Sequence, residues 1–330
     1  MESPFSKPSL KRLHVYPSSI MSWHSSHLPI LVLVSFLTLL VGRETVSGFR
    51  ICSYNVHKFD FQKALKYRLV HTLTRIVYRC DICLLQNVVD PDRRAINSLL
   101  SSLNRYDGYN YKSVSSKGLG NSPDDMQQYV FIYRTQTVNV TDRYQYESKP
   151  RTFVREPFAV QFQSENTAIK KFALVALHTE PTQAVQEIDQ LYDVFEKVSK
   201  KWNNANVMFL GDFHAGCGYM TRSDKKNIRL FTNSKFSWLI GDKVDTTVNT
   251  GTNCPFERIV VHGKAFLKEI TPFSAKVYNF GKELKLSRTK VMEVSENYPV
   301  EVMLKSPALL LQATPITILL IFSAVVHCLL

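Results

Sequence analysis

The chain has 330 residues, of which 45% are hydrophobic and 21% are charged, so it can form a sizeable core and is not an intrinsically disordered protein. It carries a formal net charge of +13. A strongly basic protein attracts polyanions, such as nucleic acid or anionic glycans and lipids, without identifying which one. A solvated surface with no specific partner is the alternative.

The N-terminal segment has the pattern of a secretory signal. Leu28 to Gly42 form an uncharged apolar run that is short for a membrane span and is followed by small residues. We interpret residues 1–48 as a signal peptide with a long positive n-region, and a retained signal anchor is the alternative. These residues contain four Lys or Arg and two Glu. Their removal lowers the formal net charge from +13 to +11.

The C-terminal segment, residues 306–330, is a hydrophobic tail. Ala308 to Leu330 contain no formal charge, and no basic residue follows the last apolar run. This pattern favours a GPI-attachment signal, and a retained membrane anchor is the alternative. Both place residues 49–305 in the secretory pathway, on the extracellular face of the plasma membrane or in the endoplasmic reticulum lumen. There Asn139, in an Asn-Val-Thr sequon, would be a glycosylated surface position.

The body between these ends, residues 49–305, is predicted to be a single domain, because short apolar runs alternate with longer amphipathic ones without a linker or a repeat. The predicted strands are 49–55, 81–89, 129–133, 158–162, 172–177, 207–210, 237–240, 257–261 and 299–304. The predicted helices are 63–79, 95–103 and 184–202. Strands joined both by helices and by hairpin-length loops indicate a mixed, layered α/β architecture.

The cysteines are divided between one predicted disulfide and several buried thiols. Cys217 and Cys254 both follow strand-like runs, and an oxidising compartment favours a bridge between them, worth roughly 4 kcal/mol by loop entropy. Cys80 and Cys83 form a C-x-x-C pattern, which can indicate metal or redox chemistry. Because they lie in a strand-like run, we expect both of them, and Cys52, to be free and buried.

The segment Asn206 to Cys217, NVMFLGDFHAGC, combines a buried-strand pattern with chemically capable side chains. Gly211 allows a sharp turn, after which Asp212 and His214 would emerge at the end of the strand. In layered α/β proteins, functional sites lie at such strand ends. The alternative is a sheet strand followed by an ordinary turn.

Polar side chains also follow the other predicted strands. Together these positions are Asn55, Asn87, His178, Asp212, His214, Glu257, Glu296 and Asn297. Oxygen ligands for Mg²⁺, amides that hold a phosphate and imidazoles that move protons are what a metal-assisted phosphodiester hydrolase needs. Each histidine taken alone could instead be a hydrogen-bonded structural residue.

Several motifs follow one another along the body in the order SYN, LLQNVVD, REPF, VALHTEP, GDFHAGC, Asp-Thr-Thr, FERIVVHG and SENYPVEV. Over Phe49 to Leu304 this order resembles the deoxyribonuclease I family, and most of all its membrane-anchored branch. The resemblance implies a two-sheet, four-layer α/β sandwich of the DNase I or endonuclease-exonuclease-phosphatase type. It also implies endonucleolytic cleavage of double-stranded DNA with Mg²⁺ and Ca²⁺ as cofactors.

Four positions match the functional residues of that family. Asn55 stands at the phosphate-side Asn, His178 at the first catalytic His, Asp212 at the motif Asp and Arg155 at a DNA-contacting Arg. By the resemblance, Asn55 and Arg155 bind substrate, as would His214, which stands where the family has an amide.

The remaining positions depart from the family pattern. Asn87 replaces a metal-binding Glu, Gln127 replaces the carboxylate partner of the first His, Glu257 replaces an Asp, and Glu296 and Asn297 replace a closing Asp-His pair. His178 then lacks its carboxylate partner and Glu257 faces Asn297, so neither His-carboxylate dyad is complete. Each lost acid or base costs roughly 10² to 10⁴ in rate. We expect cleavage to be abolished or strongly reduced, and the lost metal ligand argues against retention of Mg²⁺ and Ca²⁺.

Three classes of function stay open. The first is a catalytically impaired surface homologue that binds DNA non-specifically through its basic body. The second is an active extracellular endonuclease in which His214, with Asp212 and Glu296, builds a different site for softer ions such as Zn²⁺ or Mn²⁺. The third is an adhesion or receptor-type protein that reuses the fold.

Overall fold

The computed structural model describes residues 48–307 of the chain. The predicted signal peptide therefore lies outside the described residues except for Gly48, and the hydrophobic tail except for Ser306 and Pro307. Among residues 48–307, no helix combines the length and the apolar character that a membrane crossing requires.

The described part of the chain contains twelve strands and nine α-helices. The strands are β1 (Phe49–Phe59), β2 (Ile82–Val88), β3 (Tyr111–Ser115), β4 (Gln128–Arg134), β5 (Asn139–Gln145), β6 (Phe158–Gln163), β7 (Lys171–Ala176), β8 (Val207–Asp212), β9 (Phe236–Trp238), β10 (Glu257–His262), β11 (Lys276–Val277) and β12 (Val300–Leu304). The helices are α1 (Phe61–Ala64), α2 (Tyr67–Val77), α3 (Arg94–Tyr106), α4 (Ala184–Trp202), α5 (Arg222–Lys225), α6 (Arg229–Thr232), α7 (Lys264–Lys268), α8 (Phe280–Glu283) and α9 (Arg288–Val294).

The strands form two six-stranded mixed sheets. The first sheet has the order β11-β12-β1-β2-β4-β3, and the second has the order β5-β6-β7-β8-β10-β9. Within each sheet one central pair is parallel, β1 with β2 and β7 with β8. A parallel pair needs a long crossover, and α1 and α2 supply it in the first sheet while α4 supplies it in the second.

Three apolar clusters hold the layers together. Between the sheets lies a cluster rich in aromatic residues, including Phe131, Phe162 and Phe172. The outer face of the first sheet is covered by α2, α3 and α9, and that of the second by α4, whose Ile188 and Leu191 are fully buried. The four-layer α/β sandwich that the resemblance implies is therefore confirmed.

Several predicted elements differ from those observed. The predicted helix 63–79 is divided into α1 and α2, because Lys66 has an extended backbone between them. The first strand continues past Asn55, and His57 and Lys58 have φ angles of +46° and +58° within it. Strands β3 and β5 were not predicted, since each is an edge strand and carries too few buried residues to form an apolar run.

Each of the two disulfides joins segments that belong to, or adjoin, strands of a single sheet. Cys217 and Cys254, the predicted pair, are joined beside the ends of β8 and β10. The expectation of a free Cys52 and Cys80 was wrong, because these two residues form a second disulfide. Cys80 precedes β2 and is not part of that strand, so it reaches Cys52 on β1. Cys83 is free and buried.

Glu187 is a fully buried acid in the first turn of α4. Its carboxylate accepts hydrogen bonds from the backbone N–H groups of Val154 (2.8 Å) and Glu180 (3.0 Å). Burial nevertheless raises the pKa of Glu187 to about 7. The folded protein therefore holds this proton at pH values where the unfolded chain, with a Glu pKa of about 4.3, has released it.

We predict that Glu187 makes folding stability fall as the pH rises from about 4.5 to about 7, because the folded state binds more protons than the unfolded state in this window. The loss from this one group is on the order of 3 kcal/mol. The free energy of unfolding, measured with urea, should differ less between about pH 5 and about pH 8 in Glu187→Gln than in the wild type. Glu196→Gln, exposed on the same helix, is the control. An unchanged difference in Glu187→Gln would contradict the prediction.

Candidate functional site

Two buried carboxylates form the centre of the candidate site. Asp212 ends β8 and Glu257 begins β10, and the two residues are paired directly across the antiparallel ladder. Their side chains therefore project from the same face of the second sheet. The two residues are only 1% and 0% exposed. Burial, with repulsion from Asp212, raises the pKa of Glu257 to about 8, so Glu257 is mostly protonated at neutral pH.

The first sheet supplies the partners of Glu257. The carboxyl group accepts hydrogen bonds from the backbone N–H of Asn55 (2.8 Å), from the Ser53 hydroxyl (3.2 Å) and from the Gln86 amide (3.2 Å). The Gln86 Oε1 in turn accepts from the backbone N–H of Asp212 at 2.7 Å. Gln86 therefore bridges the two sheets. Gln86 is not among the site residues predicted from the sequence, although a glutamine inside an apolar strand run is a usable signal.

Asp212 is stabilised as the anion of the pair. Its Oδ2 accepts hydrogen bonds from the side-chain amides of Asn55 (2.9 Å) and Asn297 (2.8 Å). Burial alone would raise the pKa of Asp212, but His214 and these two amides hold it below its usual value. The prediction that Asn297 faces Glu257 is therefore wrong. Ser295 accepts from the Asn297 N–H and donates to the Asn55 carbonyl, which directs the Asn297 amide to Asp212 instead.

His178 follows β7 and is almost fully buried. Its Nδ1 lies 2.9 Å from the Gln127 Oε1. An amide oxygen only accepts hydrogen bonds, so the proton is on Nδ1 and the lone pair is on Nε2. Burial lowers the pKa of His178 to about 3, against the opposing effect of Asp212 and with a further contribution from Arg155. The imidazole is therefore neutral at physiological pH.

His214 lies beside both His178 and Asp212. The two imidazole rings are stacked with centroids 5.8 Å apart. The His214 Nδ1 is 3.1 Å from the Thr179 hydroxyl and 3.3 Å from the Asp212 Oδ1. His178, Asp212 and His214 each offer one ligand atom, and these atoms all lie within 4.8 Å of one another. The structure thus assembles two imidazoles and one carboxylate.

Arg155 is placed differently from the sequence-based expectation. The residue is 3% exposed, and its guanidinium donates to the carbonyls of His178 (3.1 Å) and Thr179 (3.0 Å). Two carboxylates, those of Asp125 (3.3 Å) and Glu180 (3.2 Å), neutralise its charge. Arg155 therefore positions the His178 segment, and this arrangement does not support direct contact with DNA.

The two expected metal ligands do not join the cluster. Asn87 is half-buried with a φ angle of +60°, and Glu296 is exposed. Within residues 48–307, neither side chain makes a hydrogen bond to another residue. Mg²⁺ and Ca²⁺ prefer several hard oxygen ligands, but the described residues gather one free carboxylate beside two imidazoles. This donor set does not fit the ions that the resemblance implies.

Gly211 is the residue that allows β7 and β8 to approach at the site. Its φ angle is +145°, and a Cβ there would lie 1.9 Å from the Leu177 carbonyl oxygen and 3.0 Å from the Gln86 Oε1. We predict that Gly211→Ala lowers the free energy of unfolding by about 3 kcal/mol or more, because backbone has to shift. Gly263→Ala is the matched control, since Gly263 has a φ angle of +85° with open space around it. Urea unfolding of the two variants provides the test, and equal losses would contradict the argument.

Comparisons with known proteins agree with the two-sheet fold. Residues 52–269 match the Endonuclease/Exonuclease/phosphatase family. The chain is 39% identical over 280 residues to deoxyribonuclease gamma of Homo sapiens, covering 83% of this chain and 92% of that protein. It is 38% identical over 299 residues to deoxyribonuclease-1-like 1 of Homo sapiens, covering 90% and 96%. The fold is similar to that of the human Nocturnin catalytic domain, with a TM-score of 0.56, 13% identity and coverage of 79% and 95%. The chain therefore belongs to the endonuclease/exonuclease/phosphatase family, with deoxyribonucleases of the DNase I type as its relatives.

Proposed function

We propose that this protein is an exported, membrane-anchored member of the deoxyribonuclease I family in which DNA hydrolysis is abolished or strongly reduced, and which binds duplex DNA. The observation that carries the proposal is the 2.9 Å contact between His178 Nδ1 and the Gln127 amide oxygen. By the family pattern, a carboxylate would occupy the position of Gln127.

The impaired chemistry follows from the groups at the proton-transfer positions. A neutral amide cannot stabilise an imidazolium as a carboxylate does, and a His178 pKa of about 3 makes this imidazole a poor base at neutral pH. Asn297, at the position of the second histidine, has no proton that titrates near neutral pH and donates its amide to Asp212. Protonation of the leaving oxygen and activation of water therefore each lack a suitable acid or base.

We predict that cleavage returns only when the family's groups are restored together. The six changes are Asn87→Glu, Gln127→Glu, His214→Asn, Glu257→Asp, Glu296→Asp and Asn297→His. Each single change should have almost no effect, because the dyads and the metal act in the same transition state. A plasmid-nicking assay with Mg²⁺ and Ca²⁺ measures the outcome.

The unmodified protein is the decisive control in that assay. Nicking by the wild type at a rate near that of the six-fold variant would overturn the proposal. It would instead favour the second candidate, an endonuclease with a rearranged site, for which the His178, Asp212 and His214 cluster is the specific observation.

DNA binding is proposed from the charge of the body and from two residues at the rim of the site. His57 and Lys58 are exposed and lie where the pairing of β1 with β2 is irregular between Asn55 and Phe59. The His57 N–H donates to the Asn55 Oδ1 at 3.0 Å, which connects this rim to the carboxylate network. Both side chains are accessible to a backbone phosphate that approaches the site.

We predict weak, non-specific binding of duplex DNA that falls steeply between about 50 and 200 mM salt, because counterions are released when phosphates are neutralised. Lys58→Ala should weaken binding. It should also reduce the slope of log affinity against log salt concentration by about one, as expected for the loss of one phosphate contact. Lys264→Ala, exposed at the other end of β10, is the control. Fluorescence anisotropy of a labelled duplex in EDTA provides the measurement. Salt-independent binding, or no binding at low salt, would contradict this part of the proposal.

Membrane attachment is proposed from the hydrophobic tail at 306–330 and from similarity to the membrane-anchored family member called DNase X. Two features of the body support an exported location. Two disulfides are present, and Asn139 is exposed at the start of the edge strand β5, where a glycan would be accessible.

We predict that the protein is held on the outer face of the membrane by residues 306–330, since the body is expected to lie outside the cytosol. Treatment of intact cells with phosphatidylinositol-specific phospholipase C should release it. Retention after this treatment, together with release when the chain is truncated after Lys305, would identify a membrane-spanning tail. A truncated chain that stays membrane-bound would disprove anchoring by this segment.

A further inference from the structure

The proposed function leaves the cluster of His178, Asp212 and His214 without a role. These side chains come from the ends of two adjacent strands, β7 and β8, and their ligand atoms lie within 4.8 Å of one another. In a tetrahedral zinc site, with bonds of about 2.0–2.1 Å, ligand atoms lie roughly 3.4 Å apart. Small side-chain rotations about an ion would therefore be enough to close the cluster around it.

The hydrogen bonds around the cluster orient the ligand atoms. Gln127 accepts from His178 Nδ1 and leaves the Nε2 lone pair free, as outer partners of metal-binding histidines do. The amides of Asn55 and Asn297 both occupy the Asp212 Oδ2, so Oδ1 faces His214. The Thr179 hydroxyl lies 3.1 Å from His214 Nδ1 and holds the second ring in place.

We propose that His178, Asp212 and His214 form a binding site for a borderline-soft divalent transition metal, of which Zn²⁺ is the preferred ion. Two imidazoles and one carboxylate are a three-ligand set typical of zinc sites that keep one open position. Mg²⁺ and Ca²⁺ do not compete well for such a set, because they prefer oxygen ligands. Water or a phosphate oxygen would occupy the fourth position. This inference does not depend on whether the protein cleaves DNA.

The test measures metal binding directly. The full chain is expressed through the secretory pathway without a histidine tag, purified in detergent and stripped with EDTA. Equilibrium dialysis against buffered Zn²⁺, with the bound metal measured by mass spectrometry, should give one ion per chain in the presence of excess Mg²⁺. Co²⁺ substitution should give the visible absorption of a four-coordinate or five-coordinate site with nitrogen ligands.

Four variants show where the ion binds. His178→Ala and His214→Asn should weaken Zn²⁺ binding by more than about 100-fold, and Gln127→Ala by about 10-fold to 100-fold, because removal of an outer partner alone has that effect. His71→Asn, on α2 and outside the cluster, should bind Zn²⁺ as the wild type does. Circular dichroism of each stripped variant shows whether it is folded.

The outcomes separate this inference from the proposed function. Zn²⁺ binding that survives in both His178→Ala and His214→Asn, or that falls equally in His71→Asn, would overturn the inference. So would the absence of binding by the folded wild type, even if nicking is also absent. Nicking by the wild type with Mg²⁺ would overturn the proposed function alone.

Discussion

Two buried carboxylates placed opposite each other impose the main constraint on this protein. Asp212 and Glu257 face the same side of a dry ladder, where two negative charges would repel strongly. The structure resolves this by leaving one proton on Glu257 and by directing two side-chain amides at Asp212. The strand ends around the pair carry the side chains that donate these hydrogen bonds. A buried carboxylate without them would cost several kcal/mol.

Several donors to these carboxylates come from the opposite sheet, so the site also joins the two sheets. Gln86 contacts both acids through one side chain, and Asn55 contacts both through its backbone and its amide. Loss of the Asn55 or Asp212 side chain would therefore leave buried polar groups at this interface without partners.

Sequence reasoning predicted the parts of the fold that depend on apolar periodicity. Helix α4 was predicted with its observed ends, and the strands that carry the site were found because they are continuous apolar runs. Edge strands such as β5 have little buried surface and leave no such pattern. The gathering of polar residues at strand ends could be predicted from topology. The individual partners of these residues could not be predicted. Ser295 decides whether Asn297 faces Asp212 or Glu257, and two carboxylates distant in sequence decide that Arg155 is buried.

The placement of the disulfides has a consequence for how the molecule would come apart. Cys52–Cys80 lies within the first sheet and Cys217–Cys254 within the second, so neither bridge crosses the interface between the sheets. The two halves are held face to face by apolar packing, by the hydrogen bonds of the site and by backbone hydrogen bonds away from it, such as that from the Ala168 N–H to the Lys305 carbonyl. Neither disulfide therefore opposes the separation of the two sheets. The site lies across the interface between the sheets, so it would lose its geometry as soon as the sheets separate. Each half would then still keep its own disulfide.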